Sequence, residues 1–181
     1  MTLVDACCTL PPCKSDYTPK GKQFDLGNLP IYEIGNATDK AILVIYDIFG
    51  YHPNTKQVCD LLADQGFFVI MPDFFRGNPY PNVVPVDMTK LMTHLNTVVP
   101  PEVMERDIKN SYDYLLSKGA KNIGLLGFCW GAKESVTAAS NNKRFKAVAA
   151  AHPSMVSVKS VKNLEAPLFL IPTKDDPDFV I

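Results

Sequence analysis

A cysteine stands in the sequence with one glycine two residues before it and another two residues after it. Residues 127–131 read G-F-C-W-G, the mainly apolar run 123–126 precedes them, and the helix-forming stretch 132–139 follows. A strand, a tight turn and a helix in this order display the residue at the apex of the turn, where flanking glycines leave room for strained backbone angles. Cys129 is therefore the candidate nucleophile, and the alternative is a buried structural cysteine.

Two features of this position favour thiol chemistry. The thiol of Cys129 lies at a predicted helix N-terminus, where the helix dipole and unbonded N–H groups stabilise a thiolate. The backbone N–H of Trp130 is placed to bind the negative oxygen that forms when a nucleophile attacks a carbonyl. The pattern predicts a nucleophile elbow with cysteine in the position of serine.

A cysteine nucleophile also needs a base and an acid that orients the base. In one common chain order the acid follows a later strand and a histidine comes last. Asp176 follows the last predicted strand and fits the acid; its neighbour Asp175 is the second choice, and a simple Asp-Pro turn is the structural alternative. All three histidines of the chain precede Asp176.

None of these histidines is a convincing base from its position. His152 ends the strand beside the elbow unit, where a structural or substrate-facing role is favoured because a base should approach from the far side of the nucleophile. His52 follows a loop at the same sheet edge and is placed to line the pocket. His94 lies in a proline-rich segment and is expected to face solvent.

Length and composition indicate one domain of ordinary globular character. The chain has 181 residues, 46% of them hydrophobic and 20% charged, with a net charge of -1. This balance gives no reason to expect nucleic acid or an anionic membrane as a partner. No apolar run reaches membrane-spanning length and the first residues do not resemble a secretion signal, so we expect a cytoplasmic protein.

The five cysteines are an odd number and are expected to be free thiols in a reducing compartment. Three of them, Cys7, Cys8 and Cys13, cluster near the N-terminus, but no histidine or second cysteine pair stands at a metal-ligand spacing. An incidental cluster is favoured over a metal site. Cys59 falls on the apolar side of a predicted helix and is expected in the core, and no metal or organic cofactor is implied.

Strands and helices are predicted to alternate along most of the chain. Residues 1–22 read as an irregular arm, and 23–181 as one domain that begins with an antiparallel edge hairpin over 23–35. The other predicted strands are 41–46, 67–71, the elbow strand, 145–151 and 168–171. The predicted helices are 54–65, a weak one at 88–95, 101–118 and the elbow helix to about 141. The alternation predicts a doubly wound α/β sheet.

Details of two predicted segments bear on the site. In the helix 54–65, Asn54 is expected to cap the N-terminus, and Val58, Leu61 and Leu62 share one face. The proline-rich segment 78–100 is expected to cover the site as a lid. The loops that follow strands 41–46 and 67–71 lie at the carboxyl edge of the sheet, where α/β proteins keep their binding sites.

Four motifs together make the sequence resemble the dienelactone hydrolase family of α/β-hydrolases. They are D-I-F-G at 47–50, M-P-D-F-F-R-G at 71–77, G-F-C-W-G at 127–131 and K-D-D at 174–176. The arm, with its paired cysteines, paired prolines, Tyr17 and Lys20-Gly21, is similar to the fungal-type branch. The resemblance runs from about residue 23 to the end, and it implies a three-layer α/β-hydrolase fold with a mostly parallel, twisted sheet.

The resemblance also implies roles for individual residues. Cys129 would be the nucleophile and Asp176 the acid, and the backbone N–H groups of Ile48 and Trp130 would form the oxyanion hole. Arg76 would help to bind a substrate carboxylate, although an arginine after a Pro-Asp turn is as often part of a surface salt bridge. Asp47 stands where the type enzyme has a glutamate that contacts the resting cysteine, and it is one methylene shorter.

In the family the catalytic histidine lies beyond the end of this chain, together with a final strand and helix. The resemblance therefore implies impaired activity for the 181 residues, because a triad without its base loses most of its rate. It also implies an exposed sheet edge, with lowered stability or pairing of two copies into a homodimer across that edge.

The function predicted from these residues is that of a carboxylic ester hydrolase acting on a small-molecule ester or lactone. Two alternatives from other classes stay open. One is a non-catalytic α/β-hydrolase-fold protein that binds a small molecule or a partner through the same pocket. The other is a carbohydrate-directed hydrolase, which would need two facing carboxylates. Asp47 and Asp176 are the only candidate pair.

Overall fold

The computed structural model describes residues 15–173, and within them it shows seven strands and five helices. The strands are β1 Lys22–Leu26, β2 Leu29–Ile34, β3 Lys40–Ile45, β4 Phe68–Pro72, β5 Asn122–Phe128, β6 Ala147–Ala151 and β7 Leu168–Ile171. The helices are α1 Pro53–Asp64, α2 Met88–Val98, α3 Pro101–Ser117, α4 Trp130–Asn141 and the short α5 Val158–Val161.

All seven strands form one mostly parallel sheet with the order β1-β2-β4-β3-β5-β6-β7. Strands β4, β3, β5, β6 and β7 run parallel, and the β1-β2 hairpin pairs antiparallel with β4 at one edge. The continuous apolar runs explain the central position of β3 and β4, because strands in a parallel sheet are covered on both faces. The predicted mostly parallel α/β sheet and the edge hairpin are confirmed.

The path of the chain distributes the helices over both faces of the sheet. From β3 the chain moves to β4 in one direction, and from β4 it returns past β3 to β5, β6 and β7 in the other. Because such crossovers are right-handed, α1 lies on one face of the sheet and α3 and α4 lie on the other. Every parallel strand therefore points its carboxyl end to the same edge, where the loops at 47–50, 73–77 and 129 meet.

Helix α1 differs from its prediction in both its cap and its buried face. His52, not Asn54, is the N-cap residue, and its Nδ1 accepts a hydrogen bond from the Asn54 N–H at 3.3 Å. Leu61, expected on the apolar face, is 58% exposed, and the charged residues Lys56 and Asp60 are buried. The expected inward position of Leu61 was therefore wrong, because contacts with residues outside the helix stabilise the buried charges. Cys59 is fully buried, so its predicted place in the core is confirmed.

The partners of Asp60 come from the arm and from β2. Its Oδ2 accepts hydrogen bonds from the Tyr17 hydroxyl at 2.7 Å and from the Lys20 N–H at 2.9 Å, and its Oδ1 accepts from the Tyr32 hydroxyl. The hydrogen bond to Asp60 raises the pKa of Tyr17 to about 12. Residues 15–21 thus lie across α1 without regular structure, although residues 1–14 of the predicted arm are outside the described range.

Lys56, the other buried charge of α1, lies against aromatic rings. Its Nζ is 4.1 Å from the ring centroid of Tyr51 and 5.5 Å from that of Tyr32. Burial lowers the pKa of Lys56. The negative faces of the two rings offset part of the cost of burying the ammonium group.

The opposite edge of the described sheet is formed by β7. Its Phe169 is 65% exposed and its Ile171 is 45% exposed, while Leu168 and Leu170 on the other face of the strand pack against the core. Among residues 15–173, none of the helices has the length and apolar composition needed to cross a membrane.

Candidate active site

The backbone of Cys129 adopts the strained conformation that the elbow motif predicts. Its φ is 52° and its ψ is −113°, between the end of β5 and the start of α4. A positive φ is uncommon for a residue with a side chain and costs energy, so surrounding structure must hold it in place. The residue is 8% exposed, and it is the N-cap position of α4. The turn therefore presents the thiol at the N-terminus of a twelve-residue helix.

The two glycines of the motif are required because their neighbours leave no room for a Cβ atom. A Cβ placed on Gly127 would lie 2.2 Å from the Gly131 carbonyl oxygen and 2.5 Å from Ser135 Oγ. A Cβ on Gly131 would lie 2.3 Å from the carbonyl oxygens of both Ile45 and Tyr46. The start of α4 thus packs directly on the end of β3, which brings Cys129 to the loop that carries Asp47 and Ile48.

The end of β6 fixes the backbone of Cys129 from the other side. The Cys129 N–H donates to the Ala151 carbonyl at 3.0 Å, and the Cys129 carbonyl accepts from the Ser154 N–H at 3.3 Å. His152 lies between these two anchors, half-buried and with a φ of 49°. Its Nδ1 is 3.4 Å from the Thr173 hydroxyl. The structure therefore places His152 at the active-site edge, next to the elbow, as the sequence predicts.

Asp47 shapes the loop that contains the first expected oxyanion donor. Its Oδ1 accepts from the Phe49 N–H at 2.8 Å, and its carbonyl accepts from the Gly50 N–H at 3.2 Å, so residues 47–50 form a tight turn. Ile48, at the second position of the turn, is 3% exposed. Within residues 15–173, neither the Ile48 N–H nor the Trp130 N–H donates a hydrogen bond to another residue.

A hydrogen-bonded pair that sequence reasoning did not assign lies beneath this edge. The buried Tyr46 hydroxyl donates to Asp73 Oδ1 at 2.7 Å and accepts from the Phe75 N–H at 2.7 Å. The Phe75 ring stacks on Trp130 with centroids 4.9 Å apart. The usable signal was positional: Tyr46 directly follows β3 and Asp73 directly follows β4, and the carboxyl ends of adjacent parallel strands lie side by side.

Arg76 makes the ion pair that the sequence left as its alternative role. Its Nη2 lies 2.8 Å from Oδ2 of Asp107, a residue of α3 that is 1% exposed. Its Nε and Nη1 donate to the carbonyls of Asn28 and Phe74, each at 3.1 Å. The guanidinium thus joins the loop after β4 to α3 and to the hairpin.

The other two histidines have structural contacts. His52 caps α1 as described above. His94 is half-buried, contrary to its expected solvent-facing position, with Nε2 3.0 Å from the Asn78 carbonyl and its ring 5.6 Å from that of Tyr80. The Tyr80 N–H donates to the Ile48 carbonyl at 3.0 Å. The proline-rich segment therefore contacts the loop that follows β3.

The described residues bring together Cys129, Trp130, Ile48, Asp47 and His152 at one edge of the sheet, and they place Arg76 in a separate ion pair. The predicted acid Asp176, its alternative Asp175 and the N-terminal cysteine cluster lie outside the described residues. No group of three or more metal-binding side chains is present in residues 15–173.

A separate cavity of about 420 Å³ lies between α3 and α4, away from the elbow turn. Its lining carries two acids and two bases, Glu105, Glu134, Lys109 and Arg144, around an apolar floor. These charges balance, and the cavity lining contains no cysteine or histidine.

Comparison with known proteins shows which family the chain resembles. A model of the dienelactone hydrolase family matches residues 31–180. An uncharacterized AIM2 family protein of Schizosaccharomyces pombe is 31% identical over 91% of this chain and 70% of its own length. A carboxymethylenebutenolidase homolog of Xenopus tropicalis is 36% identical over 66% of this chain. An endo-1,3;1,4-beta-D-glucanase of Zea mays is 30% identical over 83% of it. The chain spans about half the length of the last two, 51% and 48% respectively.

Solved structures show the same fold. A putative dienelactone hydrolase from Klebsiella pneumoniae superposes with a TM-score of 0.61 at 24% identity, over 80% of this chain and 70% of its own. A dienelactone hydrolase-like promiscuous phosphotriesterase from metagenomic libraries gives a TM-score of 0.64 at 16% identity, over 87% of this chain and 70% of its own.

Proposed function

Because the chain belongs to the dienelactone hydrolase family, we propose that it is a hydrolase that cleaves an ester or lactone through the thiolate of Cys129. The observation that carries this proposal is the strained backbone of Cys129 at the N-cap of α4, between two glycines that admit no side chain. Strain of this kind is retained where it serves a site. A purely structural cysteine has no need of it.

The proposed reaction has two steps. In the first, the Cys129 sulfur attacks the carbonyl carbon, and the negative oxygen is held by the N–H groups of Ile48 and Trp130. The tetrahedral intermediate collapses and the C–O bond of the ester breaks; the alkoxide takes a proton from water and leaves as the alcohol, which in a lactone stays attached to the acyl group. In the second, water attacks the thioester, the C–S bond breaks, and the acid and the thiol are released.

We propose Asp176 as the acid that orients a base, on the strength of the family resemblance. For the base itself, two of the three histidines are occupied: His52 Nδ1 accepts the cap hydrogen bond, and His94 Nε2 lies against the Asn78 carbonyl. For His152 we propose a structural or substrate-facing role beside the elbow. The 181 residues by themselves are therefore expected to form the thioester faster than water releases it.

Hydrolysis of p-nitrophenyl acetate tests the proposal. The chain, its Cys129→Ala variant and a version extended by a family-type C-terminal segment that carries a histidine are compared. We expect a burst of p-nitrophenol and slow turnover from the chain, full turnover from the extended version, and neither from Cys129→Ala. Fast, Cys129-dependent turnover by the 181 residues would contradict the assignment of the base and make His152 the next residue to replace.

If Cys129→Ala retains the full rate, the proposed nucleophile is wrong. If Cys129 is neither acylated nor alkylated by a thiol reagent near neutral pH, the pocket is a non-catalytic binding site instead. Thiol reactivity distinguishes these cases because an activated thiolate reacts fast, whereas an inert buried thiol does not.

One observation favours a second candidate function. The relative from Zea mays is named as an endo-1,3;1,4-beta-D-glucanase, which would place this chain among carbohydrate-directed hydrolases. Glycosidase chemistry would require Asp47 and Asp176 as the two carboxylates. Release of reducing sugar from mixed-linkage β-glucan that is lost in Asp47→Asn but retained in Cys129→Ala would support this candidate. No release from the unmodified chain or from Cys129→Ala would exclude it.

A further inference from the structure

Two buried side chains fasten the loop that follows β4. Tyr46 is fully buried and Asp73 is 6% exposed. The Tyr46 hydroxyl bridges Asp73 Oδ1 and the Phe75 N–H, each at 2.7 Å. The second carboxylate oxygen of Asp73 accepts from the Gly77 N–H at 2.7 Å, and the Asp73 N–H donates to the Pro30 carbonyl at 2.7 Å. The Tyr46 hydroxyl and the Asp73 carboxylate thus fix the loop through several hydrogen bonds.

The same loop contacts the elbow through aromatic rings. Phe75 stacks on Trp130 at 4.9 Å with 30° between the ring planes. The ring of Tyr46 lies 5.0 Å from that of Phe75 and 6.5 Å from that of Trp130. All three residues are at most 3% exposed. A displacement of Phe75 would therefore be transmitted to the residue that follows the nucleophile, because densely packed rings leave no space to absorb it.

Tyr46 is also the residue directly before the turn at 47–50. Its side chain contacts the loop after β4, and its main chain leads into Ile48. Its carbonyl oxygen lies in the contact that excludes a Cβ from Gly131. One residue therefore joins the two segments that carry the proposed oxyanion donors.

We infer that Tyr46 and Asp73 are positioning residues that hold the N–H groups of Ile48 and Trp130 in the mutual geometry that binds an oxyanion. This inference rests on the proposed function. It assigns the two residues no contact with substrate; they act through Phe75 and through the turn. Burial, reinforced by the charge of Asp73, raises the pKa of Tyr46 well above its usual value. The hydroxyl therefore remains a donor throughout the neutral range.

The variant Tyr46→Phe tests the inference, because it keeps the ring and removes only the hydroxyl. The control is Tyr51→Phe, which removes a neighbouring tyrosine hydroxyl that donates to the Met71 carbonyl at 2.8 Å but does not reach Phe75. The first readout is the p-nitrophenol burst from p-nitrophenyl acetate, which needs the oxyanion hole. The second is alkylation of Cys129 by iodoacetamide, which forms no oxyanion.

We expect Tyr46→Phe to lower the saturating acylation rate by about 10- to 100-fold, because small displacements of oxyanion donors are costly. Its KM and its alkylation rate should stay within about twofold of the unmodified chain, and Tyr51→Phe should change neither rate by more than that. Equal burst rates in Tyr46→Phe and the unmodified chain would overturn the inference. So would an equal loss of acylation and alkylation in Tyr46→Phe, which indicates a general structural role.

A second variant keeps the test decisive if Tyr46→Phe does not fold. Phe75→Leu retains the backbone hydrogen bonds of the loop and removes the stacking on Trp130. It should lower acylation at unchanged alkylation, and normal acylation by this variant would overturn the inference. Cys129→Ala is assayed in parallel: a burst that survives in Cys129→Ala disproves the proposed function itself, whereas a Cys129-dependent burst unaffected by Tyr46→Phe disproves only the positioning role.

Discussion

The elbow turn and helix α1 each hold a buried cysteine, but the backbone around the two cysteines differs. Cys129 is 8% exposed and Cys59 is fully buried, so burial separates them little. Cys129 is the N-cap of α4 with a φ of 52°, whereas Cys59 lies within the regular turns of α1. Burial and the charge of Asp60 raise the pKa of the Cys59 thiol. Backbone position, more than burial, distinguishes the proposed nucleophile Cys129 from Cys59.

The largest difference between the two regions is expected in catalysis. Cys129→Ala should reduce acylation by p-nitrophenyl acetate by at least about 10³-fold, as removal of other enzymatic nucleophiles does. Cys59→Ala should leave the burst unchanged within about twofold and should cost about 1 kcal/mol or more of unfolding free energy through lost packing. Burst kinetics and chemical denaturation measure the two effects. A burst that depends on Cys59 would reverse the comparison.

The next largest difference is expected in the stability cost of replacing a glycine in each region. Gly131→Ala would place a Cβ 2.3 Å from the carbonyl oxygens of Ile45 and Tyr46. This clash should lower the unfolding free energy by about 3 kcal/mol or more. Gly66, just after α1, has a φ of 87° and open space around it. Gly66→Ala should therefore cost only about 1–2 kcal/mol. Similar midpoints for the two variants in urea would contradict the steric account of the elbow.

The two cysteines are also expected to differ in thiol reactivity at neutral pH. We expect iodoacetamide to modify Cys129 at least about 100-fold faster than Cys59, because Cys59 is held neutral by burial while Cys129 lies at a helix N-terminus. Peptide mapping of the alkylated chain assigns each modification to its cysteine. Comparable rates at both positions in the folded protein would show that the elbow does not activate its thiol.

The smallest expected difference is in the alkaline pH dependence of stability. Burial raises the pKa of Cys59, Tyr32 and Tyr51 in the folded state. The unfolded chain begins to lose these protons near pH 9.0 for the thiol and 10.0 for the phenols, while the folded state keeps them. Their contribution to stability is therefore complete below pH 9 and falls by about 1.4 kcal/mol per group for each pH unit above its unfolded pKa.

Denaturation in urea at pH 8 to 11 checks this expectation. Cys59→Ala should make the loss between pH 9 and 10 shallower, because it removes the group that titrates first in the unfolded chain. The variants Cys59→Ala and Cys129→Ala have the same new side chain, so they form a matched pair. A flat profile in the unmodified chain would contradict the assigned burial of these groups.

The fold and the elbow were predictable because their signals are local. Uninterrupted apolar runs indicate central parallel strands, and the glycines on either side of Cys129 report directly on the steric limits of the turn. The buried face of α1 was not predictable from periodicity. One partner of Asp60 is Tyr17, 43 positions away in sequence, and only the folded chain brings them together.

The candidate site divides in the same way. The elbow is encoded within five residues, but the Tyr46–Asp73 hydrogen bond joins residues 27 positions apart through the alignment of two strands. The role of Arg76 likewise depends on Asp107, which a distant helix supplies. Such pairings depend on the order of the strands and on the packing of distant helices. The sequence predicts the class of the sheet but not these pairings.

The most direct test of the nucleophile is the location of the acyl group after brief exposure of the 181-residue chain to p-nitrophenyl acetate, followed by acid quenching and peptide mass spectrometry. We expect one acetyl group on the peptide that contains Cys129, none on Cys59, and no acetylated peptide at this time point in Cys129→Ala. An acetyl group on another residue, or p-nitrophenol release that persists in Cys129→Ala, would contradict it.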